Sequence, residues 1–125
     1  MRLSGLILGV LVLVWLPFED HSPLGAISLA AGICTWLAVR ALWTTIPSSR
    51  QVWGRYALVG AVAGLGVAPL ALLLMAMKTG LHAHTTPDYT AVQLQSTIER
   101  ILIFGVSGLL VGLGGAVWRL ARRTW

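Results

Sequence analysis

Apolar residues fall in four long runs separated by three polar joints. The first run, 3–18 (LSGLILGVLVLVWLPF), predicts a helix of ~24 Å, slightly short of the ~30 Å hydrocarbon core of a bilayer. The joint 19–23 (EDHSP) is bracketed by Pro17 and Pro23, which end helical geometry on both sides. A joint this short makes the first two helices antiparallel neighbours. The second helix is predicted over 24–46 and the third, after PSSRQ, over 52–77. Pro69 lies inside the third and is expected to loosen it near Leu65 and Gly66.

The one long polar interruption is 78–100 (KTGLHAHTTPDYTAVQLQSTIER). Thr79 and Gly80 are expected to end the third helix, and 78–90 reads as an outer loop. Thr90 and Gln93 then have the spacing of a capping box, so a fourth helix is predicted over 91–122. At ~48 Å it exceeds the hydrocarbon core, so its first two turns, up to Arg100, are expected to stand outside the membrane.

The expected fold is therefore all-α: an integral membrane protein, a single domain over 1–125, built as an antiparallel four-transmembrane-helix bundle with helix 4 extended on the extracytoplasmic side. Composition agrees. Hydrophobic residues make up 57% and charged residues 10%, far below the ~25% charged of soluble domains. Mean hydropathy is +0.82. The formal charge of +5 does not point to nucleic acid, because the arginines flank apolar runs and do not interleave with a polar face. It points to orientation in a bilayer. With four spans, Arg2, Arg40, Arg50, Arg55, Arg119, Arg122 and Arg123 gather on one side. Lys78 and Arg100, with Glu19, Asp20, Asp88, Glu99 and all three histidines, gather on the other. The prediction is a bacterial inner membrane, both termini cytoplasmic, with loops 19–23 and 78–90 extracytoplasmic. No small-x-small cleavage site follows the first run, so helix 1 is expected to be retained as a span.

Each predicted helix carries a small-xxx-small pair: Gly5 and Gly9, Ser28 and Gly32, Gly60 and Gly64, Gly108 and Gly112. Such pairs let helix backbones approach closely in lipid. Helix 4 has extra glycines at Gly105, Gly114 and Gly115, which could also meet a partner subunit, a pigment, a quinone or a lipid tail. Trp36, Arg40 and Trp43 share a face near the end of helix 2 and form a candidate lipid-headgroup contact. Asp88, Tyr89, Gln93, Gln95 and Glu99, on the outer loop and the projecting helix, form a candidate partner-docking surface. His82, His84 and His21 are candidate metal or tetrapyrrole ligands, since imidazoles with nearby carboxylates suit Zn²⁺ or Cu²⁺. Cys34, alone in an apolar run, reads as a small buried residue.

No nucleophile elbow, phosphate loop, HExxH or CxxC is present, and no ionisable residue lies near the middle of a predicted span. Pumps and transporters place such groups at mid-membrane. Length and four spans are similar to the small multidrug exporters, but those use a glutamate in the first helix. Here no charged residue lies between Leu3 and Phe18, which rejects the match. The function expected is a small non-catalytic accessory or assembly subunit of a larger membrane complex, respiratory or photosynthetic for example. Its partners would be the bilayer and other membrane subunits, and the sequence requires no cofactor. The alternatives are an oligomeric transporter or channel, and a metal- or tetrapyrrole-binding protein.

Overall fold

The computed structural model describes residues 2–17, 22–44, 49–82 and 88–122, with the side chains of residues 2, 49, 50 and 82 left aside. The described chain is all-helical: α1 (Arg2–Trp15), α2 (Pro23–Trp43), α3 (Ser49–His82), α4 (Ala91–Glu99) and α5 (Ile101–Ala121). Among the described residues three stretches are long and apolar enough to cross a membrane: Pro23–Trp43, Gln51–Leu81, and Ala91–Ala121, in which α4 and α5 run together. With the shorter apolar α1, the helix count is four, as the hydrophobic pattern predicts.

The helix starts follow local chemistry. Ser22 caps α2, its Oγ accepting from the Leu24 N–H at 3.3 Å, with Pro23 at the first helical position, where no N–H is needed. At α4 the capping box forms as expected. Thr90 Oγ1 accepts from the Gln93 N–H at 3.3 Å, and Gln93 Oε1 accepts from the Thr90 N–H at 2.9 Å.

Two boundaries differ from the sequence expectation. The helix expected to end at Met77 continues to His82, so Leu81 and His82 are helical and do not belong to a loop. A glycine in a helix costs about 1 kcal/mol, which tertiary packing easily offsets. Here Lys78 is fully buried, and the Thr79 hydroxyl donates to the Met75 carbonyl at 3.1 Å, so the helix keeps its last turn. The helix expected to run unbroken over 91–122 is divided at Arg100 into α4 and α5. Just before the junction, Ser96 Oγ and Thr97 Oγ1 both donate to the Gln93 carbonyl, at 2.9 and 2.8 Å. Such back-bonding bends helices. α3 itself runs through Pro69 as one helix.

The packing is a series of neighbours. α3 lies at the centre, with α5 and α2 packed along it, and α1 lies against α2. α2 and α5 have almost no backbone approach to each other. Each neighbouring pair is antiparallel. Ser4 and Gly5 meet Trp36 while Leu8 meets Gly32. Ala41 meets Arg55 while Cys34 meets Gly66. Tyr56 meets Gly112 while Gly64 meets Gly105. One end of the molecule therefore holds the start of α1, the end of α2, the start of α3 and the end of α5. The other end holds the end of α1, the start of α2, the end of α3, and α4.

The tightest contact is the α3/α5 seam. A Cβ added at Gly60 would fall on the Gly108 carbonyl oxygen, and one at Gly64 on the Phe104 carbonyl oxygen. One at Gly108 would meet the Gly60 carbonyl oxygen, and one at Gly112 the Tyr56 carbonyl oxygen. The backbones touch with no side chain between them. That arrangement lets two helices gain dispersion contact where lipid supplies no hydrophobic drive for association. Most of the extra glycines on α5 are used here: an added Gly105 Cβ would lie 2.6 Å from Leu65 Cδ2, and a Gly115 Cβ 3.1 Å from the Tyr56 ring. Only Gly114 has open space around it.

Candidate functional site

The α3/α5 seam draws α5 in close, and α2 lies on another face of α3. Between α2 and α5 remains an open groove of about 800 Å³, floored by α3. Its walls are side chains such as Ala38 and Leu42 from α2 and Val111 from α5, and its floor is glycine-rich at Gly60 and Gly64. The groove is mostly apolar along its length, interrupted by Thr35 and Ser107, and is cationic at one end, where Arg119 and Arg122 line it.

Both arginines are held by aromatic rings. Arg119 Nη1 donates to Tyr56 Oη at 2.8 Å, and its guanidinium carbon lies 5.8 Å from the Tyr56 ring centre. The Arg122 guanidinium stacks at 3.9 Å over Trp118. Stacking uses the flat face of a guanidinium and leaves its in-plane N–H groups for an acceptor. Among the described residues no acidic side chain lines the groove. Asp88 lies just before α4 and Glu99 is its last residue, at the opposite end of the molecule.

The lipid-headgroup candidates separate in the structure. Arg40 lies 5.5 Å from the Trp36 ring centre, as a snorkelling pair would. Trp36, however, faces α1, donating from Nε1 to Ser4 Oγ at 3.0 Å. Trp43 is 76% exposed and lines the groove. Sequence spacing did not reveal the pairing of Tyr56 with Arg119. It joins residues far apart in the chain, and nothing short of the α3/α5 register brings them together.

The opposite end holds a second polar feature. Lys78 has no exposure, and its ammonium lies 4.5 Å from the Trp15 ring centre. Trp15 and Tyr89 join the apolar cluster around Met75 and Leu74. The sequence puts Lys78 just past the end of helix 3, in the outer loop; α3 instead continues through it and carries it inside. Burial of a long cationic chain is tolerated where its stem packs on apolar surface and its head meets an aromatic face.

The docking candidates are also placed differently from one another. Tyr89 is 3% exposed and is part of the core, so it does not present a surface for docking. Asp88 is half-buried. Gln93 is engaged in the capping box. Gln95 and Glu99 lie exposed on α4, with Gln95 Nε2 donating to Glu99 Oε1 at 2.9 Å. His21 and His84 lie outside the described residues, as does the side chain of His82, the last residue of α3. Among the described residues no three of His, Cys, Asp and Glu gather into a metal-binding group.

Comparison with protein-family models, characterised proteins and solved structures returns no match. The functional reading therefore rests on the geometry.

Proposed function

We propose that the protein is a non-catalytic accessory or assembly subunit of a larger membrane complex, an energy-transducing complex being the first class to test. The observation that carries this reading is the open, serial packing of the helices. The spanning windows of α2 and of α4–α5 bury only 17% of their residues inside the molecule, and that of α3 only 33%. α1, at ~21 Å, is too short to span a ~30 Å core alone and is held along one side by α2. An edge helix of this kind is completed by packing against another subunit.

In the membrane we propose a bacterial inner-membrane location with both termini cytoplasmic. Arg40, Arg55, Arg119 and Arg122 belong to the end that holds the start of α1 and the end of α5, which supports this orientation. On α3, Arg55 and Lys78 bracket an apolar stretch of ~33 Å, close to one hydrocarbon thickness.

The test is purification from native membranes in a mild detergent, followed by native electrophoresis and quantitative mass spectrometry. The expected result is a particle larger than any homo-oligomer, with a fixed ratio of this chain to named partners. A particle containing this chain alone would overturn the reading.

A further inference from the structure

The groove between α2 and α5 has a chemistry of its own, independent of any partner subunit. It is mostly apolar from Cys34 and Phe104 up to Arg119, interrupted by Thr35 and Ser107, ~22 Å along α5, more than the ~15 Å depth of one leaflet. Its width is kept by the glycine seam below. At its mouth two guanidiniums are pre-positioned by Tyr56 and Trp118, and Trp43 stands on the facing wall. An apolar trough with cations at one end matches an amphiphile with an anionic head and a long hydrocarbon tail. A protein helix laid in the groove would match the apolar trough but would leave the two arginines to find carboxylates of its own.

We infer that the groove is a binding site for an anionic phospholipid of the surrounding bilayer. The phosphate would sit between Arg119 and Arg122, and an acyl chain would lie over Gly60 and Gly64. Arginine forks suit phosphate oxygens, because several in-plane N–H groups reach one headgroup. Arg119 has already committed one N–H to Tyr56, which fixes its direction without using its remaining donors. Interfacial basic residues attract anionic lipid by about five-fold in affinity each.

The experiment is native mass spectrometry of the purified full chain with dioleoyl phosphatidylglycerol or dioleoyl phosphatidylcholine, which share their tails. The expected result is one retained phosphatidylglycerol, with phosphatidylcholine retained far less. Arg122→Gln, an exposed position that folding tolerates, should weaken phosphatidylglycerol retention about five-fold. Arg119→Gln with Arg122→Gln should abolish the preference between the two lipids. Arg100→Gln removes the same charge at the other end and should change nothing. Ala38→Trp fills the trough and should expel both lipids. Equal retention of the two lipids, or equal effects of Arg122→Gln and Arg100→Gln, would overturn the inference. So would a lipid-free dimer that Ala38→Trp dissociates, since a second copy would then occupy the groove.

Discussion

The α3/α5 seam and the α1/α2 contact begin from the same sequence signature and end in different physics. Both pairs of helices carry small residues four apart, all glycines on α1, α3 and α5 and Ser28 with Gly32 on α2. At Gly60, Gly64, Gly108 and Gly112 the glycines face one another, and carbonyl oxygens occupy the space of the absent side chains. On α1, Gly5 receives the edge of the Trp36 ring, 3.0 Å from an added Cβ, and Gly9 meets nothing. One contact is backbone against backbone. The other is an indole lying over a notch, fastened by one hydrogen bond to Ser4, with the Leu8 side chain over Gly32 beside it. A small-xxx-small pattern grants permission for close approach; it becomes a close approach only where the partner helix offers matching small residues in register.

Substitutions can break this contrast most sharply at the seam. Gly60→Leu or Gly108→Leu has no space to enter, because the obstacle is backbone and not a flexible side chain. The expected loss is about 3 kcal/mol or more, with α5 released from α3, read by denaturation in mixed micelles. Gly9→Leu, identical in chemistry, should stay within about 0.5 kcal/mol of the parent. Equal effects at the two positions would erase the distinction.

A smaller effect is expected at the point where α1 is fastened to α3. Lys78→Met keeps an unbranched side chain one atom shorter but removes the ammonium from the face of Trp15. The expected cost is about 2 kcal/mol, the magnitude for a desolvated cation–aromatic contact. It should appear as faster hydrogen exchange at the end of α1, with the α3/α5 seam unchanged. Trp36→Phe removes the bond to Ser4 while keeping an aromatic ring, and should cost about 0.6 kcal/mol. Thr90→Ala, which removes the α4 cap, should cost about 1 kcal/mol, confined to the first turn of α4. That local fraying, read by hydrogen exchange, would show that the capping box holds the start of α4.

The helices were legible in the sequence because hydrophobic length and proline punctuation act locally. The capping box at Thr90 and Gln93 was legible for the same reason. The end of α3 was not, because Thr79 and Gly80 are stop signals only until Lys78 is packed against Trp15, a contact across 63 residues. The division at Arg100 depends on two hydroxyls choosing one carbonyl, and the same serine and threonine could equally have pointed outward. The groove was least legible of all. Its arginines look like ordinary interfacial charges in the sequence, and its walls look like any apolar run. The groove exists because the glycine register sets α5 against one face of α3 while Arg55 and Cys34 mark where α2 lies on another.

The most direct measurement is paired-cysteine oxidation in vesicles, on a Cys34→Ala background. Leu65→Cys with Gly105→Cys places two thiols across the seam, where an added Gly105 Cβ lies 3.0 Å from Leu65 Cγ. Ala38→Cys with Val111→Cys places them on opposite walls of the groove. A disulfide needs Cβ atoms about 4 Å apart. The seam pair is expected to close rapidly and the groove pair to stay reduced. A groove pair that closes as fast as the seam pair would mean that α2 and α5 pack against each other, and would contradict the open arrangement on which the account depends.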